Sequence, residues 1–322
     1  MDRDLALEVV RVTEEAAIAA STQMGKGDEK AADRVAVDAM RWALNGLNID
    51  GKVVIGEGER DEAPMLFIGE KVGLGHGPKV DIALDPLEGT TITAKGGTNA
   101  LSVIAMANSG GFLHAPDVYM EKIAIGPGYA EGIVQLAAPV SENLHNLARA
   151  KNVLIEDLVV CILDRPRHAD LIASVRQAGA RISLISDGDV SGVIATTQPQ
   201  SGIDIYIGTG GAPEGVLAAA ALRCIGGQMQ GRLVIRNEIE EKRAANCGIA
   251  DSRRIYKLND MANGDVMFAA TGVTDGPMLR GVRHQGGRVF TYSMVMRSKS
   301  GTVRYVEAHH NLKQKNDMRG MD

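Results

Sequence analysis

Val80-Asp81-Ile82-Ala83-Leu84-Asp85-Pro86-Leu87-Glu88-Gly89-Thr90 is the stretch on which the fold of this chain turns. Its first half is an apolar run rich in branched residues, which predicts a strand. Pro86 and Gly89 predict a tight turn behind that strand, aiming the Asp85 and Glu88 carboxylates and the Leu87 carbonyl toward one point. Gly89-Thr90-Thr91 then reads as a helix entrance, whose backbone N–H groups suit a phosphate. Upstream, Lys52-Val53-Val54-Ile55-Gly56-Glu57 has the same texture and also ends in an acid beside glycine. Ala100–Ala107 is read as a strand paired with these two.

The period is different before residue 50. Leu5, Val9, Val12, Ala16 and Ala20 recur at helical spacing up to about Met24, and Gly25-Lys26-Gly27 ends the run. Asp28 is a natural N-cap for a second helix bearing Ala32, Val35, Ala36, Ala39, Met40 and Leu44, closed by Asn45-Gly46. The two helices are expected to form an antiparallel pair. From about Lys151 strand and helix alternate: strands at 158–163, 181–185 and 203–207, helices near 169–177, around Val190 and at 216–223. This predicts a second, mostly parallel α/β layer. Later strands are expected at 233–235, 266–270, 289–296 and 302–308. The chain is thus α/β, of the layered α+β kind. It reads as one unit over 1–310, its layered halves about 1–150, with the acid-bearing turns, and 151–310, followed by a polar tail at 311–322.

Composition narrows the function. The 322 residues are 45% hydrophobic and 23% charged, ordinary globular usage. Thirty-five basic against forty acidic residues give a net charge of −5, without the basic footprint that general nucleic-acid binding needs. No apolar stretch is long enough for a membrane span, and the N-terminus lacks a signal-peptide pattern, so a cytoplasmic location and no membrane partner are expected. Cys161, Cys224 and Cys247 lack the short spacing of a zinc site or a disulfide framework. His309 and His310, adjacent on a strand, point to opposite faces and do not share a metal. The glycines at 208, 210 and 211 do not follow the dinucleotide-binding fingerprint.

The acids Glu57, Glu59, Asp61, Glu62, Asp81, Asp85 and Glu88 crowd around two predicted strand ends. Such hard oxygen ligands suit magnesium or manganese, and with the Gly89-Thr90-Thr91 helix entrance they describe a phosphate-ester hydrolase site. Taken alone, Asp85 and Glu88 also fit a capped turn, Asp33 a solvated helix face, and Arg165-Pro166-Arg167 an ordinary solvated turn.

The turn Asp85–Thr90 resembles the Asp-Pro-hydrophobic-acid-Gly-Thr/Ser signature of the lithium-sensitive sugar and inositol phosphatase superfamily. With Val54–Glu59, Asp61–Leu66, Ala115–Met120, Arg165–His168, Asp187–Val190 and Gly210–Gly215, the chain from about residue 2 to 310 resembles class II fructose-1,6-bisphosphatases. Several relatives have lysine directly after the Gly-Asp pair, where this chain has Glu29 and then Lys30, and relatives often have lysine at the place of Arg165. The resemblance implies an αβαβα layered sandwich, and Asp33, Glu57, Asp85, Glu88 and Glu214 as ligands of Mg2+ or Mn2+. It implies that Asp61 and Thr90 assist attack by water. It places Glu88, Gly89, Thr90, Tyr119, Arg165, Pro166, Arg167, Asp187, Gly188, Asp189 and Gly211 around a sugar bisphosphate. The implied reaction is removal of the 1-phosphate of D-fructose 1,6-bisphosphate in gluconeogenesis, by a homo-oligomer (dimer or tetramer). Sedoheptulose 1,7-bisphosphate or an inositol phosphate is the alternative substrate, and a non-catalytic sugar-phosphate-binding regulator the alternative of another class.

Overall fold

A helical period at the N-terminus becomes two helices, α1 (Leu5–Ser21) and α2 (Glu29–Asn45), in the computed structural model, which describes residues 4–58, 65–312 and 314. Asp28 caps α2, its Oδ1 accepting the Ala31 N–H at 2.9 Å. The apolar stripes Val9, Val12 and Ala16 on α1, and Ala32, Ala36 and Met40 on α2, pack on one face of an eight-stranded sheet.

That sheet contains β1 (Asp50–Ile55), β2 (Lys71–Val72), β3 (Lys79–Glu88) and β4 (Leu101–Asn108). The far end of the chain adds β11 (Val266–Gly272), β12 (Arg283–Gln285), β13 (Arg288–Arg297) and β14 (Thr302–Asn311). Its order is β12-β13-β11-β4-β3-β1-β2, with β14 beside β13, and only β1 and β3 pair in parallel. A six-stranded second sheet, ordered β10-β9-β5-β8-β6-β7, takes the middle of the chain: β5 (Tyr119–Ile125), β6 (Val159–Leu163), β7 (Arg181–Ile185), β8 (Ile205–Gly211), β9 (Gln228–Val234) and β10 (Ile255–Lys257). Here β6, β7, β8 and β9 all run the same way, while β5 is inserted antiparallel between β8 and β9 and β10 closes the edge antiparallel.

The remaining helices are α3 (Thr90–Lys95), α4 (Val140–Lys151), α5 (Ala169–Gln177), α6 (Asp189–Ala195), α7 (Ala212–Ile225), α8 (Glu238–Asn246) and α9 (Leu258–Met261). The Ala-rich α7 is apolar on every side because it is the filling between the sheets, with α6 beside it. Helices α4 and α5 cover the outer face of the second sheet. The layers are therefore α1 and α2, first sheet, α6 and α7, second sheet, α4 and α5, an αβαβα sandwich.

Two local expectations are corrected. The stretch Asp85–Glu88 is not a free tight turn: β3 continues through it to Glu88, and an irregularity in the pairing with β4 between Asp85 and Glu88 absorbs Pro86. Strand β5 and helices α4 and α8 were not anticipated. Of the predicted polar tail, Asn311 ends β14, whereas 313 and 315–322 lie outside the described residues.

Candidate active site

Parallel strands deliver their carboxyl ends to one side of a sheet, where loops converge. In the first sheet β1 and β3 do this with Glu57 and with Asp85 and Glu88; in the second, β6, β7 and β8 do it with Arg165–Arg167, Asp187–Asp189 and Gly210–Gly211. The antiparallel β5 brings its first residue, Tyr119, to the same place, and α7 begins there with Glu214 in its first turn. The result is one cleft of about 440 Å³ between the two sheets.

Asp33, Glu57, Asp85, Glu88 and Glu214 all line it, as do Gly89, Thr90, Tyr119, Arg165, Arg167, Asp187, Asp189 and Gly211. Pro166 opens an exposed turn of 3-10 helix just outside it, and Gly188 stands at positive φ (83°) ahead of α6 with its N–H on Asp187 Oδ1 at 3.1 Å. Asp61, Glu59 and Glu62 lie outside the described residues. Asp81, near the other end of β3, does not line the cleft: it is buried and accepts the Gly110 N–H at 2.7 Å.

The acids sit close enough to disturb one another. Burial, with Asp33 and Glu214 nearby, pushes the Glu57 carboxyl up to about 8. Burial and then the charges of Glu57 and Glu214 hold Asp85 well above the usual carboxylate range. Glu88 is raised by burial, then by Asp85 and Asp189, although its Oε1 accepts the Val190 N–H at 3.1 Å. Burial and Asp189 bring Glu214 to about 6 against the pull of Lys122, and burial raises Asp33. Glu88 Oε2 is buried and has no hydrogen-bond partner among the described residues. Such a set is a collection of unneutralised oxygens facing a common space. No three acid, imidazole or thiol groups among the described residues are gathered tightly enough to hold a metal ion on their own.

Glycine at the β8–α7 junction leaves the room that two acid side chains occupy. A Cβ on Gly210 would meet Asp189 Oδ2 at 2.0 Å, and one on Gly211 would meet Glu214 Oε2 at 1.9 Å. From the second sheet, two arginines also line the cleft, alongside Asp187 and Asp189. Arg167 donates Nε and Nη2 to the Thr209 carbonyl at 2.9 and 2.8 Å and lies 4.8 Å over the Tyr119 ring, while Arg165 stands 3.6 Å from Asp187 Oδ1.

Residues 3–310 match the family model described as bacterial fructose-1,6-bisphosphatase, glpX-encoded. The chain belongs to that family. It is 47% identical over 329 aligned residues to fructose-1,6-bisphosphatase 1 class 2 of Escherichia coli strain K12, a match covering 98% of this chain and 97% of the relative. The class 2 fructose-1,6-bisphosphatases of Escherichia coli O6:H1 and Shigella flexneri match to the same extent.

In this member of the fructose-1,6-bisphosphatase family, three residues next to the cleft lining were given no role by the sequence reading. Lys122 is wholly buried beneath it, paired with Asp189 and donating to the Gly211 carbonyl at 2.7 Å. Its signal was a lysine in strand register with the apolar Met120 and Ala124. His168 is buried behind Arg167. Arg236, just past β9, lies 4.8 Å over the Tyr119 ring and is held by Glu240; no local pattern marks it.

Proposed function

We propose that this phosphatase removes the 1-phosphate of D-fructose 1,6-bisphosphate, yielding fructose 6-phosphate and phosphate, as gluconeogenesis requires. The observation that carries the substrate is a single cleft lined both by these five carboxylates and, from the second sheet, by Arg165, Arg167 and Tyr119. A bisphosphate has a phosphate for each. Carboxylates repel the phosphate to be cleaved unless cations intervene, so Asp33, Glu57, Asp85, Glu88 and Glu214 would hold Mg2+ or Mn2+. The orphaned Glu88 Oε2 fits that role. As the acids do not enclose an ion on their own, waters and phosphate oxygens would complete its coordination. When bound, the metal neutralises phosphate oxygens and acidifies water.

The chain's own groups do the orienting. Thr90, the first residue of α3, directly follows Glu88 and Gly89 and lines the cleft; with Asp61 it would hydrogen-bond the attacking water, one of the two relaying its proton. Arg167 has its Nε and Nη2 committed to Thr209, which leaves its Nη1 side for the phosphate that is not cleaved. A cytoplasmic setting, consistent with the buried thiols of Cys161 and Cys224, and assembly into dimers or tetramers complete the reading. Among the described residues no helix is long and apolar enough to cross a membrane.

Phosphate release from fructose 1,6-bisphosphate, sedoheptulose 1,7-bisphosphate and inositol 1-phosphate, measured with manganese, tests this. The highest kcat/KM is expected for the first; a higher value for another sugar overturns the substrate, and no release from any overturns the enzyme. Arg167→Ala is expected to lower kcat/KM on the bisphosphate by roughly ten- to a hundredfold, mainly through KM. Slow hydrolysis of fructose 1-phosphate, which lacks the second phosphate, should change little. Equal losses on both would put Arg167 at the reacting centre instead.

A further inference from the structure

Strand β8 is paired on one side by β5 along its whole length, but on the other side β6 accompanies it only through Val160↔Ile205 and Cys161↔Tyr206. Beyond Tyr206 the N–H groups of β8 on that side need another acceptor. At Thr209 the acceptor is an imidazole: the Thr209 N–H donates to His168 Nε2 at 2.8 Å. The other ring nitrogen, Nδ1, lies 2.7 Å from the Leu163 carbonyl at the end of β6. A carbonyl only accepts and an amide N–H only donates, so these two partners fix the ring as the neutral tautomer with its proton on Nδ1. Burial and the nearby Arg167 and Arg165 favour the same neutral form, although the carbonyl of Leu163 pulls the other way.

The backbone of the same residue, Thr209, is what holds Arg167. Its N–H is tied to His168 and its carbonyl receives both Nε and Nη2 of the guanidinium, which lies over Tyr119. Arg167 itself is exposed, and a long exposed side chain has many rotamers to lose on binding an anion. We propose that His168 is a positioning residue for the arginine-bearing part of the cleft: by bridging the ends of β6 and β8 it fixes the Thr209 carbonyl, and so presents Arg167 ready-made to the phosphate that the enzyme does not cleave. The proposal rests on the reading of the cleft given above, with carboxylates for one phosphate and arginines for the other. His168 touches no substrate; its effect passes through Thr209 to Arg167. It therefore acts on the affinity for sugar phosphates and not on the chemistry at the carboxylates.

Two substitutions separate the two ring contacts. Asparagine in place of His168 can donate to Leu163 but has nothing at the Nε2 position, whereas the longer glutamine amide can offer its oxygen to the Thr209 N–H. The readouts are competitive inhibition by fructose 6-phosphate, which carries only the retained phosphate, and by inorganic phosphate, which competes for the place of the cleaved one. His168→Asn is expected to raise the fructose 6-phosphate inhibition constant and the bisphosphate KM about tenfold, as loss of one well-placed contact does. Its kcat should stay within about twofold, and inhibition by inorganic phosphate should be unchanged. His168→Gln should restore most of the affinity.

Arg167→Ala is measured beside them. If it weakens fructose 6-phosphate and inorganic phosphate alike, that reading of the cleft fails and the proposal falls with it. If it is selective but His168→Asn moves both constants equally, or neither, the positioning role alone is overturned. Should His168→Asn lose its cooperative melt, imidazole 15N spectra of the parent protein decide: the His168 Nε2 signal should shift on adding fructose 6-phosphate and not on adding inorganic phosphate. An unmoved signal overturns the proposal.

Discussion

Asp85→Asn is expected to lower kcat/KM on fructose 1,6-bisphosphate by on the order of a thousandfold, or about 4 kcal/mol of transition-state stabilisation, while the protein melts no lower than its parent. The substitution is chosen because it separates the two roles open to this residue. Asp85 Oδ1 accepts the Leu87 N–H at 3.0 Å, a contact an asparagine oxygen makes equally well, so the local backbone keeps its cap. What is lost is a negative charge that burial and the neighbouring Glu57 and Glu214 already make costly in the metal-free protein. Removing that charge should leave stability unchanged or raise it, and the damage should appear only in catalysis. Excess chelator is expected to abolish turnover of the parent, and magnesium or manganese to restore it. A near-normal rate for Asp85→Asn would reduce Asp85 to a cap, and full turnover in chelator would remove the cations from the mechanism.

Helices α1 and α2 and strands β1 and β3, which frame this acid, were legible because their signals are local. A 3.6-residue apolar period with Asp28 as cap marks α2, and branched runs ending in acids mark β1 and β3. Glu57, Asp85 and Glu88 could be gathered from the residues because strand ends, glycines and acids coincide there, whereas Asp33, inside α2, was marked only by the family resemblance. The alternation of strands and helices after Lys151 reported the common direction of β6 to β9 correctly, since each helical crossover returns the chain to the same side. It could not report that β5, from far upstream, wedges between β8 and β9, because that pairing spans about a hundred residues and leaves no local trace. Helix α4 was hidden for a different reason. Its buried stripe includes Asn143, whose side chain is spent on the backbone of Gln135 and so breaks an otherwise apolar face.

A buried charge also helped to hide β5, and it is the residue whose replacement is expected to have the largest structural effect. Glu121-Lys122 looks like a solvent-facing interruption of an apolar run, yet Lys122 is wholly buried on the inner face with Met120 and Ala124. It is there because Asp189, 67 residues later in sequence, comes to lie against its ammonium, and because the Gly211 carbonyl takes another of its protons. A buried pair of this kind contributes little relative to an apolar core, but removal of one partner strands the other charge and costs about 3–5 kcal/mol. Lys122→Met, which keeps the length and volume of the stem, should therefore lower the melting temperature by roughly 4–8 °C. It should also cut kcat/KM by about a hundredfold, because Asp189 and the Gly211 carbonyl, freed from the lysine, adjoin Glu88 and Glu214. Adding Asp189→Asn to Lys122→Met should recover most of the lost stability, since no uncompensated charge remains, without recovering activity. Thermal melts and initial rates of the two single variants and the double variant check this. A Lys122→Met protein as stable as its parent would mean that water reaches Asp189 freely, and that the lysine is held by the sheet and not by its charge.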